Sequence, residues 1–171
     1  MTLIAAVDHR WGIGYRGAPL FRLPADLRHF KSLTMGRALL MGRKTFGSLP
    51  GLLPGRAHAV LSRDPSFAPP GVTVLRSLDE ARAYAQAQET FLVGGGEIYA
   101  ALLADCALAH ITRIDAARQA DAFMPDLDRL PGWAVTDEGP WQEENGVRFQ
   151  FCVYENDGKQ KSGCILSPKG I

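Results

Sequence analysis

Residues 90–103 read Thr90-Phe91-Leu92-Val93-Gly94-Gly95-Gly96-Glu97-Ile98-Tyr99-Ala100-Ala101-Leu102-Leu103. A short apolar run stops at three glycines, and a helical stretch over 97–103 follows. Such a run fits a strand covered on both faces. The glycines let main chain approach an anion without Cβ interference, and the helix behind them offers unpaired N–H groups and a positive dipole end. Residues 38–41 form a second buried strand candidate, after which Gly42-Arg43-Lys44-Thr45 opens a short helix with two cations and a hydroxyl. Taken alone, each start reads equally well as a close-packed turn or a solvated basic cap. Two of them at carboxyl ends of parallel strands, where α/β sheets bind ligands, point to a dinucleotide.

Outward from these two turns, strand and helix alternate. Residues 3–7 read as a strand, and residues 8–24, rich in Gly and Pro without periodicity, as a long irregular loop. Pro24 suits the first turn of a helix that ends near Gly36 and lines Leu27, Phe30, Leu33 and Thr34 on one face. Residues 50–56 are a turn-rich connection, 57–61 and 72–75 read as strands, and Ser77-Leu78-Asp79-Glu80 has capping-box spacing before an Ala-rich helix. Alternation up to about Ile114 predicts a mostly parallel sheet with helices on both faces. Residues 133–136 and 147–153 then predict an antiparallel edge hairpin. The expected fold is a single α/β domain over 1-156, with a mostly parallel central β-sheet, an antiparallel C-terminal edge hairpin and flanking helices. Residues 157-171, polar and Gly-containing, read as a flexible C-terminal extension.

A chain of 171 residues is one compact unit, long enough to bury about 70% of its unfolded surface. Apolar residues at 46% and charged residues at 22% are ordinary globular usage. Lys plus Arg 19 against Asp plus Glu 18 leaves a net charge of +1, too balanced for a nucleic-acid or bilayer surface. A small-molecule partner is expected. Cys106, Cys152 and Cys164 are too few for a disulfide framework and too scattered for metal pairs, as are the four histidines, so no metal is expected. The thiols fit a reducing cytosol, and residues 3–7 are far short of a signal or membrane segment. The expectation is a soluble cytoplasmic protein.

Gly12-Ile13-Gly14-Tyr15-Arg16-Gly17 matches the dinucleotide G-x-G-x-x-G pattern, but the strand before it ends too early and Pro-containing loop follows it instead of a helix. Residues 36–45 miss P-loop spacing. Asp26, in the first turn of its helix, has a plain reading as a stabilising acid near a dipole end. With Leu27 and Phe30 in the neighbouring turns, it also has a catalytic reading, as a carboxyl desolvated into a useful protonation range.

Together the residues resemble the dihydrofolate reductase family. The resemblance rests on Ile4-Ala5-Ala6, Ile13-Gly14, Leu23-Pro24-Ala25-Asp26-Leu27 with Phe30-Lys31, Met41-Gly42-Arg43-Lys44-Thr45-Phe46, Leu53-Pro54-Gly55-Arg56, Leu61-Ser62-Arg63, Val93-Gly94-Gly95-Gly96-Glu97-Ile98-Tyr99 and residues 112–115, in order over 3–155. It implies hydride transfer from NADPH to dihydrofolate, supporting one-carbon metabolism, in a monomer. It further implies that Asp26 holds the pterin amino group and N3 and promotes protonation at N5, with Thr112 linked to it. Ile4, Ala5, Leu27, Phe30, Leu49, Leu53, Val93 and Tyr99 would wall the pterin and aminobenzoyl cleft, and Arg56 would pair with the glutamate α-carboxylate. Ala6, Ile13, Gly14, Gly42, Arg43, Lys44, Thr45, Leu61, Ser62, Arg63, Arg76, Gly94, Gly95, Gly96, Glu97, Ile98 and Tyr99 would hold the cofactor.

Three stretches depart from the family pattern. Pro19-Leu20-Phe21 stands where Leu-Pro-Trp or Met-Pro-Trp is usual, so Phe21 takes the place of an indole beside the pterin. Glu97 replaces a frequently neutral or basic residue, and Asp121-Ala122-Phe123-Met124-Pro125 alters an Asp-Thr-x-Phe-Pro motif. Two other functions fit less of the sequence: a same-fold reductase of another heterocycle, such as a riboflavin-pathway ribosylaminopyrimidine, and a nucleotide-binding module without catalysis. The first would have no need of Arg56.

Overall fold

The computed structural model describes residues 1–159; residues 160–171, and with them most of the expected extension and Cys164, lie outside the described residues. Strand β1 (Thr2–Val7) is followed by the short β2 (Gly12–Tyr15) and β3 (Ala18–Pro19). Helix α1 (Pro24–Thr34) leads to β4 (Ala38–Gly42), the five-residue α2 (Arg43–Gly47) and β5 (Ala57–Leu61). The alternation continues through β6 (Thr73–Leu75), α3 (Leu78–Ala87), β7 (Thr90–Leu92), α4 (Gly96–Leu102) and β8 (Leu108–Ile114). It closes with β9 (Ala122–Phe123), β10 (Trp133–Glu138), β11 (Gln142–Glu144) and β12 (Val147–Asn156).

The main sheet has the order β10-β12-β8-β1-β7-β4-β5-β6, with β11 paired to β12. From β8 to β6 every neighbour is parallel, so the carboxyl ends of β1, β7, β4 and β5 share one edge. β12 runs antiparallel between β8 and β10. This is the expected α/β arrangement, and it follows from which strands are apolar throughout. All five residues of β4 are buried, as a strand covered by helices on both faces requires. Leu40 points into a cluster with Leu3, Leu92, Tyr99 and Leu102, while Leu39 and Met41 point the other way and join Val60. Burying each of these side chains contributes about 1.5–3 kcal/mol, which fixes Gly42 at the strand's carboxyl end.

Ser77 caps α3 as its spacing predicted, its Oγ accepting from the Glu80 N–H at 3.1 Å. The Glu80 carboxylate reaches one residue further back than in a regular box and accepts from the Arg76 N–H at 2.8 Å.

Residues 8–24 are not an irregular loop throughout. β2 and β3 form a hairpin across Arg16 (φ 50°) and Gly17 (φ 78°), and β2 also pairs with β9 to make a separate three-stranded sheet. Two consecutive positive φ values define the primed turn that matches strand twist. Strands of four and two residues, containing two glycines and a proline, carry too little apolar alternation to be seen beforehand. The C-terminal hairpin also differs: its tight turn, Asn145 (φ 54°) and Gly146 (φ 72°), joins β11 to β12, and β10 pairs with β12 across that connection. Among the described residues no helix is long and apolar enough to cross a membrane.

Candidate active site

The start of α1 presents Asp26. No side chain of the adjoining loop caps this helix; instead the Ala25 N–H donates to Glu144 Oε2 on β11 at 2.8 Å. A carboxylate from 119 residues away thus satisfies an orphan donor and complements the dipole. With the helix end pinned to the antiparallel edge, Asp26 meets β8, and the Thr112 hydroxyl donates to its Oδ1 at 2.6 Å. Burial raises the Asp26 pKa above its ordinary value, opposed by the Thr112 bond and by the charge of His29. The desolvation does not come from Leu27, which is 58% exposed; that residue was expected to line the packed face with Phe30. It comes from the seam between α1 and β8, where Thr112 is buried.

His29, given no role from sequence, occupies the next turn of the same seam. Its ring stacks on Phe151 at 4.0 Å and meets the edge of His110 at 6.4 Å. Burial pushes the pKa of both imidazoles down.

Phe30, Leu49, Leu53 and Val93, all four predicted as cleft wall, pack partly buried around Leu39, Met41 and Val60. Ile4 is buried and its carbonyl accepts from the Tyr99 hydroxyl at 2.7 Å, while Ala5 is half-buried beside it. Tyr99 is itself buried, and burial pushes its phenol pKa far up, so it stays a neutral donor beneath β1. Arg56 leans toward the same wall. Its Nε donates to the Pro54 carbonyl at 3.2 Å, its Nη1 to Thr34 Oγ1 at 3.4 Å, and the guanidinium lies 6.0 Å from the Phe30 ring centre. Among the described residues no carboxylate forms an ion pair with it.

The two glycine turns lie against one another. The Gly42 N–H donates to the Gly94 carbonyl at 2.8 Å, and a Cβ on Gly42 would stand 2.9 Å from Ile98 Cγ1. A Cβ on Gly95 would meet Thr45 Oγ1 at 3.2 Å, and one on Gly96 the Phe123 carbonyl oxygen at 2.2 Å. The Gly94–Gly95 peptide is cis. These contacts pack the starts of α2 and α4 side by side at the carboxyl edge of the sheet with room only for glycine at 42 and 96, and the unpaired first-turn N–H groups of the two helices suit an anion there. Ala6 and Leu61 are half-buried at the carboxyl ends of β1 and β5, with Ser62 buried just beyond; Ile13 and Gly14 lie on β2.

The cations around this cradle are not equivalent. Arg76, expected to hold the cofactor, donates to the carbonyls of Ser62, Asp64, Pro65 and Phe67, and so fastens the loop after β5. Arg43 is paired with Asp64 at 2.6 Å. Lys44 and Arg63 are exposed and make no side-chain bond among the described residues. Glu97 is exposed in the first turn of α4. Sequence alone shows a charge but not its partner, which is why these arginines looked alike.

Phe21 is half-buried against Leu23, Ile114 and Phe149, and the Arg118 guanidinium covers its ring at 4.1 Å. Arg118 Nη1 also donates to the Leu20 carbonyl at 2.7 Å, so the end of the 8–24 segment is held from the β8–β9 connection. The phenyl ring has no donor to hold a water beside Asp26. On the family resemblance, Phe21→Trp is expected to preserve NADPH binding and to change dihydrofolate KM or the hydride-transfer rate by at most about tenfold, the scale of one water-mediated contact. Kinetics identical to the parent at every pH would show that this ring does not address the cleft.

A family model described as dihydrofolate reductase matches residues 1–156 of this chain. Among curated relatives, "Dihydrofolate reductase type 3" of Salmonella typhimurium is 39% identical over 154 residues, covering 88% of this chain and 94% of that protein. A dihydrofolate reductase of Mycobacterium tuberculosis is 38% identical over 149 residues, covering 83% and 89%. Among solved structures, a dihydrofolate reductase from Enterococcus faecalis complexed with NADP(H) and RAB-propyl superposes with a TM-score of 0.82 at 30% identity, covering 91% of this chain and 95% of that one.

Proposed function

The chain belongs to the dihydrofolate reductase family, and we infer that it binds dihydrofolate between α1 and the sheet, with NADPH laid across the two glycine turns. The enzyme reduces dihydrofolate to tetrahydrofolate, and NADPH, when bound, supplies the hydride. Asp26 supplies the acid–base chemistry. Thr112 donates one bond to Oδ1, and the lone pairs that remain on Oδ1 and Oδ2 can accept from the pterin amino group and N3 together. A carboxyl that keeps its proton to a higher pH than usual favours protonation at N5, the atom that must gain a proton as the ring accepts the hydride. Phe30, Leu49, Leu53 and Val93 exclude water from that face. Arg56 pairs with the glutamate α-carboxylate through its planar fork. The form proposed is a monomer, and the buried thiols of Cys106 and Cys152 suit the cytoplasm. Residues 1-156, the span of the family match, form the catalytic domain in this reading.

The observation that carries this function is the partly buried Asp26–Thr112 bond at the mouth of an apolar wall ending in Arg56. Turnover tests it. Purified protein is expected to consume NADPH only when dihydrofolate is present, and to leave a ribosylaminopyrimidine unreduced. NADPH binding without consumption would instead mark a module without catalysis.

The cradle also predicts a cofactor preference. Lys44 and Arg63 are available to the 2′-phosphate that NADH lacks, and a charge-assisted bond is worth roughly 1.5–3 kcal/mol. NADPH is therefore expected to exceed NADH in kcat/KM by at least about tenfold. Equal values would show that neither cation reaches the phosphate.

A further inference from the structure

His58 is 4% exposed, and sequence gave it no task. It is the second residue of β5, two before Val60, so its ring points to the face that carries the cleft wall. Its Nε2 accepts from the Leu53 N–H at 3.1 Å. One side chain thus holds the turn at Leu53, which packs in the wall three residues before Arg56, and Arg56 reaches past Phe30. The turn's other fixed point is the Gly36 N–H donating to the Gly55 carbonyl at 2.8 Å, which ties it to the end of α1.

An imidazole can play this part only when neutral, because a protonated ring has no lone pair at Nε2. Burial is the main reason that His58 takes up a proton less readily than a free histidine, and the neighbouring Arg56 charge acts in the same direction, with the nearby Arg56 main chain opposing both. A leucine of similar bulk would leave the partly buried Leu53 N–H without its acceptor and would loosen the turn that carries Arg56.

We propose that His58 is a positioning residue for the substrate's glutamate tail, fixing the 53–56 turn so that Arg56 stands at the far end of the apolar wall. Its hydrogen bond goes to the 53–56 turn and not to Asp26 or the glycine turns, so it acts on tail recognition and not on hydride transfer. The proposal rests on the assignment of Arg56 to the glutamate α-carboxylate.

Steady-state kinetics with two substrates separates the possibilities: dihydrofolate, and a dihydropterin lacking the aminobenzoyl-glutamate tail. For His58→Leu, the dihydrofolate KM is expected to rise about tenfold with kcat within about twofold, while the KM for the tailless substrate stays unchanged. His58→Gln, whose Oε1 can again accept from Leu53, is expected to recover most of the loss and guards against a leucine variant that fails to fold. A KM that rises equally for both substrates, or no rise with dihydrofolate, overturns the proposal. Arg56→Leu serves as the control on the premise. If it leaves the dihydrofolate KM unchanged, the Arg56 assignment fails; if it raises that KM while His58→Leu does not, only the role of His58 fails.

Discussion

Asp26→Asn is expected to lower dihydrofolate turnover on the order of 10² or more, the usual scale for a positioned acid–base group, while leaving NADPH affinity intact. The amide can still accept from Thr112 at the Oδ1 position, so geometry is kept and proton chemistry is lost. The deficit should shrink at low pH, where solvent protonates the substrate directly. A second effect has the opposite sign. A carboxyl whose pKa is raised on folding costs no stability at pH values where it is protonated in both states, and becomes a liability as pH rises through its folded-state value. Asp26 is such a group, with burial as the cause. The asparagine variant should therefore melt higher than the parent at neutral pH, and the gain should vanish in acid. Steady-state rates and thermal melts across pH check both parts. Full activity at neutral pH would reduce Asp26 to a helix-start acid.

Gly96→Ala is expected to be the most damaging change in the cofactor cradle. Its Cβ would lie 2.2 Å from the Phe123 carbonyl oxygen and 3.3 Å from the carbonyl carbon, both main-chain atoms of β9 that no rotamer change can move. Either α4 or β9 must shift. Overpacking against backbone costs about 3 kcal/mol, and because β9 pairs with β2, the displacement reaches the segment that precedes α1. A drop of several degrees in melting temperature should accompany a loss of NADPH affinity of at least about tenfold. Gly47→Ala is the matched control. It sits at the end of α2 with no atom within 4 Å of its Cβ position, and should be neutral or slightly stabilising. Equal behaviour of the two variants would mean that α4 and β9 are not held in contact.

What the sequence showed and what it hid divide along a physical line. Buried strands and glycine turns are local patterns, so β1, β4 and β7 and the starts of α2 and α4 were legible, as was Asp26 in the first turn of α1. The wall formed by Phe30, Leu49, Leu53 and Val93 came from the family resemblance and not from periodicity. Hidden features depend on partners distant along the chain or on polar atoms meeting backbone. Glu144 caps α1 from 119 residues away, and Arg118 covers Phe21 and holds Leu20 from 98 residues away. Arg76 reads as a cation available to a phosphate until its donors are seen on four loop carbonyls. His58 has a partner only five residues distant, but an isolated histidine near a turn carries no signal of what its ring accepts. Leu27 shows the converse: its helical position predicted packing, yet it stands exposed beside the cleft.

The role proposed for Asp26 is control of the proton that accompanies hydride transfer, and a single-turnover measurement against pH, with NADPH and dihydrofolate both saturating, addresses that directly. The rate should be highest in mild acid and fall as pH rises, through a midpoint above the ordinary carboxylate range, as desolvation of Asp26 requires. A rate independent of pH, or a decline that Asp26→Asn leaves unmoved in position and depth, would contradict the assignment of proton control to this carboxyl.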